Sequence, residues 1–194
     1  MSVATFTGGV FMKKEKNKRL IRLTVLAMLI ALEVVLNRFC SINTQFLKIG
    51  FGFVPVVVAA CLFGPFAAAT VYGLADLIGA NIFPIGPYHP GFTVCAAFMG
   101  AVYGIFLYGR RADSPKIFLR AAFPAVINSV IFGLFLNTWW VSMLYDSKSY
   151  LGYLVMRLPE YAVMIPLNIV AIPIILKLCG QLGRYVLPKG VAKS

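Results

Sequence analysis

Long apolar runs alternate with short basic segments along this chain. A hydrocarbon core about 30 Å thick needs about 20 helical residues, and residues 20–38, 91–109, 117–145 and 153–182 meet that length directly. Residues 51–80 read either as one over-long helix or as two short ones broken at Gly64-Pro65, since proline ends a helix at its predecessor and glycine favours a turn. In so short a chain only helices satisfy their own backbone in lipid. The expected fold is therefore an all-α membrane protein.

The basic residues choose between the two readings. Of the 18 Lys and Arg, six lie at 13–22, four at 110–120 and four at 177–193, as cytoplasmic segments do under the positive-inside rule. A break at Gly64-Pro65 puts all three clusters on one side; a single helix strands Arg110, Arg111 and Lys116 opposite the first cluster. Six transmembrane helices follow, with both termini cytoplasmic and a ligand pocket in the outer half. The boundaries are a cytoplasmic segment at 1–19, a transmembrane domain at 20–182 and a cytoplasmic tail at 183–194. Helices 51–63 and 66–80 are only about 20–22 Å long at 1.5 Å per residue, which places irregular backbone around an outer cavity. Residues 39–50 and 81–91 are its outer connections.

Composition narrows the function. The 194 residues are 60% hydrophobic and 12% charged, about half the charge of a soluble domain. That excludes a disordered chain and argues against a nucleic-acid partner despite a net charge of +12. No GxxxxGK[ST] loop occurs, so ATP hydrolysis by that route falls to other chains. The cysteines at 40, 61, 95 and 179 are isolated and read as small core hydrophobes. His89 is the only histidine and no HExxH exists, so no catalytic residue, metal or cofactor is expected. The basic N-terminal segment precedes an apolar run without an AxA-like cleavage site, which reads as a retained helix. Residues 1–11, uncharged, read as an upstream start or an appended scar.

Ionisable groups in apolar spans are costly and mark sites by default. Glu33, Asp76, Arg157 and Glu160 form that set, with Arg38 at the end of the first helix. Arg157 and Glu160 share a helical face, as a structural ion pair or as ligand contacts. Asp76 has no basic partner within a turn and must find a cation, donors or a proton. Glu33 aligns with Asn37 and reads as packing polarity. Arg38, Lys48 and Arg157 lie where positives are fewest, either to capture an anion or as snorkelling anchors. Trp139, Trp140 and Tyr145 fit an interfacial belt. Phe46, Tyr88 and Phe92, beside Asn43, Asn81 and His89, suit a flat ring ligand, with Asn137 and Thr138 adding uncharged polar groups. Ala27 and Ala31 form a small-xxx-small pair for helix contact. Arg38 shares their stripe by helical phase, so either the helix ends before Arg38 or that side chain points away from the pocket.

Six hydrophobic spans, the AxxxA of the first helix and a long outer loop running into Phe51-Gly52-Phe53-Val54-Pro55 resemble the S components of energy-coupling-factor (ECF) vitamin transporters. Pro84-Ile85-Gly86-Pro87-Tyr88-His89-Pro90-Gly91-Phe92-Thr93 and Asn137-Thr138-Trp139-Trp140 look like the folate-specific branch. The resemblance implies a subunit of the bacterial cell membrane, not an enzyme. It would capture folate outside, join a transmembrane coupling protein and two ABC ATPases, and topple to release the vitamin inside. Ala27 and Ala31 would meet the coupling protein. Asp76 would be the leading acceptor for the pterin edge and Glu160 the second. Tyr88, Phe92 and Trp140 would form the walls, Arg38, Lys48 and Arg157 would take the glutamate tail, and Asn43, Asn81, His89 and Asn137 complete the ligand set. Riboflavin, thiamine or a pterin-like molecule is the alternative ligand. An intramembrane lipid enzyme or an independent proton-coupled carrier is the alternative class.

Overall fold

The computed structural model describes residues 3–43, 48–84, 86–109, 117–145 and 149–186, with side chains placed at 17, 19–41, 50–84, 86–109, 118–145 and 149–181. Phe46, the basic residues 110, 111 and 116, and the tail from 187 onward lie outside these, as do the side chains of Asn43 and Lys48. Among the described residues the chain is helical apart from one short antiparallel pairing, β1 (Ile42–Asn43) with β2 (Lys48–Ile49). The helices are α1 (Val3–Arg38), α2 (Phe53–Phe63), α3 (Pro65–Ile82), α4 (Pro90–Leu107), α5 (Ile117–Ile127), a π-helical segment (Asn128–Leu136), α6 (Asn137–Leu144) and α7 (Tyr150–Val186). Helix continues on both sides of residues 19 and 182. By length and composition, Arg19–Arg38, Pro90–Leu107, Phe118–Leu144 and Tyr150–Gln181 suffice to cross a membrane, and α2 is a shorter apolar helix.

The break at Gly64-Pro65 is present. Gly64 has φ +86° and ψ −171°, a conformation that only glycine adopts without strain. Its N–H donates to the Ala60 carbonyl at 3.2 Å, closing α2, while its carbonyl accepts from Ala68 N–H at 3.1 Å, opening α3. Pro65 occupies the first turn of α3, where its missing N–H costs nothing.

From that corner α3 and α4 run antiparallel in very close contact. Gly104 lies against the Pro65 backbone and Gly100 against the Ala68 carbonyl, and a Cβ on Gly73 would come 3.2 Å from Ala97. Small residues at these positions let two backbones approach as membrane helices do. Helix α2 is buried around most of its circumference, through Phe53, Val56, Val57, Ala59, Ala60 and Phe63, which makes it the central helix of the bundle. Tyr103, Leu107, Ala121, Ala125 and Ile172 close the core around it.

The outside is apolar, and the buried polar and charged groups sit inside, beside the apolar core. Phe66, Phe98, Ile105, Leu151 and Val155 are exposed, whereas Glu33, Asn128, Thr138, Glu160 and Asn168 are buried. A protein facing water shows the opposite sorting; one facing lipid must gather its polar groups inward.

Three local expectations need correction. Helix α3 continues to Ile82, so Asn81 belongs to a helix and not to the loop; its Nδ2 donates to the Leu77 carbonyl at 2.7 Å on an exposed face. Helix α1 includes Arg38, which disposes of an earlier helix end. The run 117–145 is not one α-helix: after Pro124, which supplies no N–H, the ladder widens into the π segment.

Candidate functional site

A cavity of about 140 Å³ lies between α4, the π segment and α7, bordered by the C-terminal end of α1, the N-terminal end of α2 and Tyr72 in the middle of α3. Helix α7 contributes Arg157, Glu160, Tyr161, Met164 and Asn168, spaced three, four, seven and eleven residues from the first and so on one helical face. The facing wall comes from Asn128, Gly133 and Asn137. In an α-helix, residues nine apart point to opposite sides; the wider π turn brings Asn128 and Asn137 onto one wall. The π segment is thus what lets these two amides face a single chamber. π segments recur at functional sites for this kind of reason.

Arg157 is held from three directions. Its Nε lies 3.5 Å from Glu160 Oε2, Nη1 donates to Thr138 Oγ1 at 3.5 Å and Nη2 donates to the Tyr161 hydroxyl at 3.3 Å. The guanidinium also sits 5.7 Å from the centre of the Tyr161 ring. Tyr161 in turn fills the space above Gly133, where a Cβ would come 2.5 Å from the ring. The Arg157–Glu160 pair raised by sequence spacing is formed, and both partners line the cavity. Phe92 provides a flat apolar wall beside them.

The α3–α4 loop is tied to the same end of the bundle. Thr93 donates to Asp76 Oδ2 at 2.8 Å, and Tyr88 OH lies 2.8 Å from Thr93 Oγ1. A threonine hydroxyl has one proton to give, so Tyr88 donates to Thr93 and Thr93 to Asp76. His89 Nδ1 accepts the Gly91 N–H at 3.0 Å as the cap of α4, and its ring stacks on Trp140 with centroids 4.7 Å apart and planes 22° apart. Gly91 leaves no room for a Cβ under Trp140.

Of the anticipated ligand set, Phe92, Asn137, Arg157 and Glu160 line the cavity together. Tyr88, His89, Trp140 and Asp76 form the bonded and stacked loop next to it rather than its lining. Arg38 packs against Gly79 on α3 and Asn81 bonds within its own helix, so both stand apart from the chamber. Asn43 and Lys48 are backbone partners in the β pairing. Glu33 is fully buried and accepts from Asn37 Nδ2 at 2.7 Å, which fits its reading as packing polarity; Asn37 reaches the cavity and Glu33 stands behind it. Sequence reasoning passed over Tyr72, Asn128, Ser129, Tyr161 and Asn168, which also line the chamber. The signal was there for the asparagines: uncharged polar residues within apolar spans.

The family described as ECF transporter, substrate-specific component, matches residues 21–176. The chain belongs to this family. As an S component it is a multi-pass protein of the cell membrane. It is similar to the folate transporter FolT of Clostridium novyi (strain NT), with 39% identity over 148 residues covering 76% of this chain and 83% of that one. It is also similar to the folate transporter FolT of Leuconostoc mesenteroides subsp. mesenteroides, with 28% identity over 149 residues covering 75% and 78%. Among solved structures, a crystal structure of FolT bound with folic acid superposes with a TM-score of 0.72 at 31% identity, covering 80% of this S component and 90% of that chain. A biotin S component superposes with a TM-score of 0.61 at 19% identity, covering 87% and 93%, which concerns the fold alone.

Proposed function

We propose that this S component is the folate-capturing subunit of an ECF importer. The observation that carries the reading is its similarity, at 31% identity and covering 90% of that chain, to a FolT crystal structure bound with folic acid. The chamber's chemistry supports it. Folate combines a flat donor-edged pterin, an aromatic middle and a two-carboxylate tail, and the chamber combines Phe92, uncharged amides and a positioned guanidinium at Arg157.

The chain crosses the bilayer six times with both termini in the cytoplasm. The corner at Gly64 supports the even count, and on that topology the three basic clusters share one side. The chamber then opens outward, with the His89–Trp140 stack and the β1–β2 pairing beside its mouth. Phe92, Asn137, Arg157 and Glu160 contact the ligand, and Tyr88, His89, Trp140 and Asp76 hold the loop over it. Lys48 and Asn43 belong to the pairing beside the mouth and serve as tail contacts. Ala27 and Ala31, both exposed on α1, meet a transmembrane coupling protein that two ABC ATPases drive, and toppling delivers folate to the cytoplasm.

The test is binding of tritiated folic acid to the purified chain in detergent, competed by unlabelled folic acid, riboflavin and thiamine. Stoichiometric binding displaced by folic acid alone is expected. Displacement by riboflavin but not by folic acid overturns the assignment.

A further inference from the structure

We infer that the end of the cavity away from Arg157 is a neutral subsite, built from the side-chain oxygens of Asn128 and Asn168, that selects ligands carrying N–H donors along the edge of a planar ring. The two asparagines line the cavity and are 1% and 4% exposed. Their Oδ1 atoms are both buried without a hydrogen-bond partner. The orientation of Asn128 is set: its Nδ2 donates to the Met99 carbonyl at 3.0 Å and lies beside the Tyr103 hydroxyl. Its oxygen is therefore what remains for the chamber. A buried amide oxygen without a donor is costly; Asn137 Oδ1 is in the same state next to Thr138, the Arg157 partner, and the other two define a surface that asks for donors with no cation beside it.

This end also lacks formal charge among its described lining residues. Asn168 follows Arg157 by eleven positions on α7, about 16 Å at 1.5 Å per residue. The chamber is thus polarised along its length, with the formal charges of Arg157 and Glu160 at one end and neutral acceptors alone at the other. A ligand that fits carries ring N–H and amino groups at its inner end and acceptors or an anion at its outer end. Resting on the folate reading, this places the 2-amino and N3–H edge of the pterin against Asn128 and Asn168. Neutral amides, and not a carboxylate, then read that edge, and discrimination depends on the donor pattern.

The experiment uses the purified full chain, with displacement of tritiated folic acid by pteroic acid, p-aminobenzoylglutamate and 2-desamino-2-methylfolic acid. In the unaltered protein the 2-desamino analogue is expected to bind at least tenfold more weakly than folic acid. Asn168→Leu and Asn128→Leu are each expected to weaken pteroic acid at least tenfold while leaving p-aminobenzoylglutamate unchanged, and to narrow the gap between folic acid and the 2-desamino analogue. Equal losses for both fragments, or a 2-desamino analogue that binds like folic acid, overturn the inference. Melting of the ligand-free protein gives a readout independent of folate: Asn168→Leu is expected to hold or raise Tm, because it removes an unsatisfied acceptor. A clear fall in that Tm assigns the oxygen a structural partner and also overturns it. Failure of the unaltered chain to bind any folic acid would remove the folate reading, and the melting result would still judge the subsite.

Discussion

Thr93 donates its hydroxyl to Asp76 across 2.8 Å, at the end of the α3–α4 seam remote from Gly64. The bond answers how a carboxylate without a basic neighbour on its own helix is tolerated in an apolar span. It receives a donor from the next helix, and Tyr88 supports that donor from the connecting loop. The loop is thereby fastened to α3 through a chain of hydroxyls.

Thr93→Val removes the donor and leaves Asp76 part-buried beside a methyl group. Losing one partner of such a bond costs about 1–3 kcal/mol, so thermal unfolding in detergent is expected to show a lowered Tm. Tyr88→Phe removes only the outer link and is expected to cost about 0.5–1.5 kcal/mol. Because Asp76 does not line the cavity, folic acid affinity falls by only a few-fold in either variant. A loss of several hundred-fold in Thr93→Val, with stability unchanged, would mean that the ligand itself meets this relay.

Arg157 and Glu160 make a stronger demand. Their side chains are 11% and 6% exposed, and removing one partner from a buried pair leaves an uncompensated charge at about 3–5 kcal/mol. Arg157→Met is therefore expected to destabilise the protein severely, and Arg157→Met with Glu160→Met to be more stable than either single variant. A double-mutant cycle on unfolding free energies checks this. Strictly additive effects would mean that the two groups do not act as a pair.

How much of this was readable beforehand depended on which physical signal each feature carries. The corner at Gly64-Pro65 is legible because a glycine at positive φ followed by a proline at the first helical turn has a direct residue signature. The Arg157–Glu160 and Glu33–Asn37 contacts are legible because spacings of three and four fix neighbours on a helix. The π segment is not, because its sequence Asn128-Ser129-Val130-Ile131-Phe132-Gly133-Leu134-Phe135-Leu136 has the apolarity of any membrane helix. With it went the knowledge that Asn128 and Asn137 share a wall. Asn168 escaped because attention to charged groups overlooks amides, and Arg38 was drawn to the ligand by charge although packing directs it to Gly79.

Gly64→Ala tests the corner. The backbone at φ +86° and ψ −171° is a glycine conformation, and holding another residue there costs about 1–3 kcal/mol. Tm is expected to fall accordingly. Gly104→Leu is expected to be worse, since its side chain would have to displace the Pro65 backbone, and the yield of folded protein measured by size-exclusion chromatography should collapse. Normal yield and melting for Gly104→Leu would show that the seam can open without loss.

On the proposed function, the face of α1 that carries Ala27 and Ala31 serves transport and not capture. Leu29, Glu33, Val34 and Asn37 turn toward the bundle, while Ala27 and Ala31 are exposed alongside Met28 and Val35. An isolated chain presents this stripe to lipid, which yields to a larger side chain. A helix packed closely on two alanines does not yield. Ala27→Leu with Ala31→Leu is therefore expected to leave melting within about 0.5 kcal/mol of the parent, as exposed substitutions do, and to leave folic acid binding by the purified chain unchanged. Uptake of labelled folic acid by cells carrying the complete energising module is expected to fall at least tenfold. Undiminished uptake would place the coupling surface on another helix, and a parallel loss of binding would mean that the substitutions act through the fold of α1 and its buried Glu33–Asn37 contact.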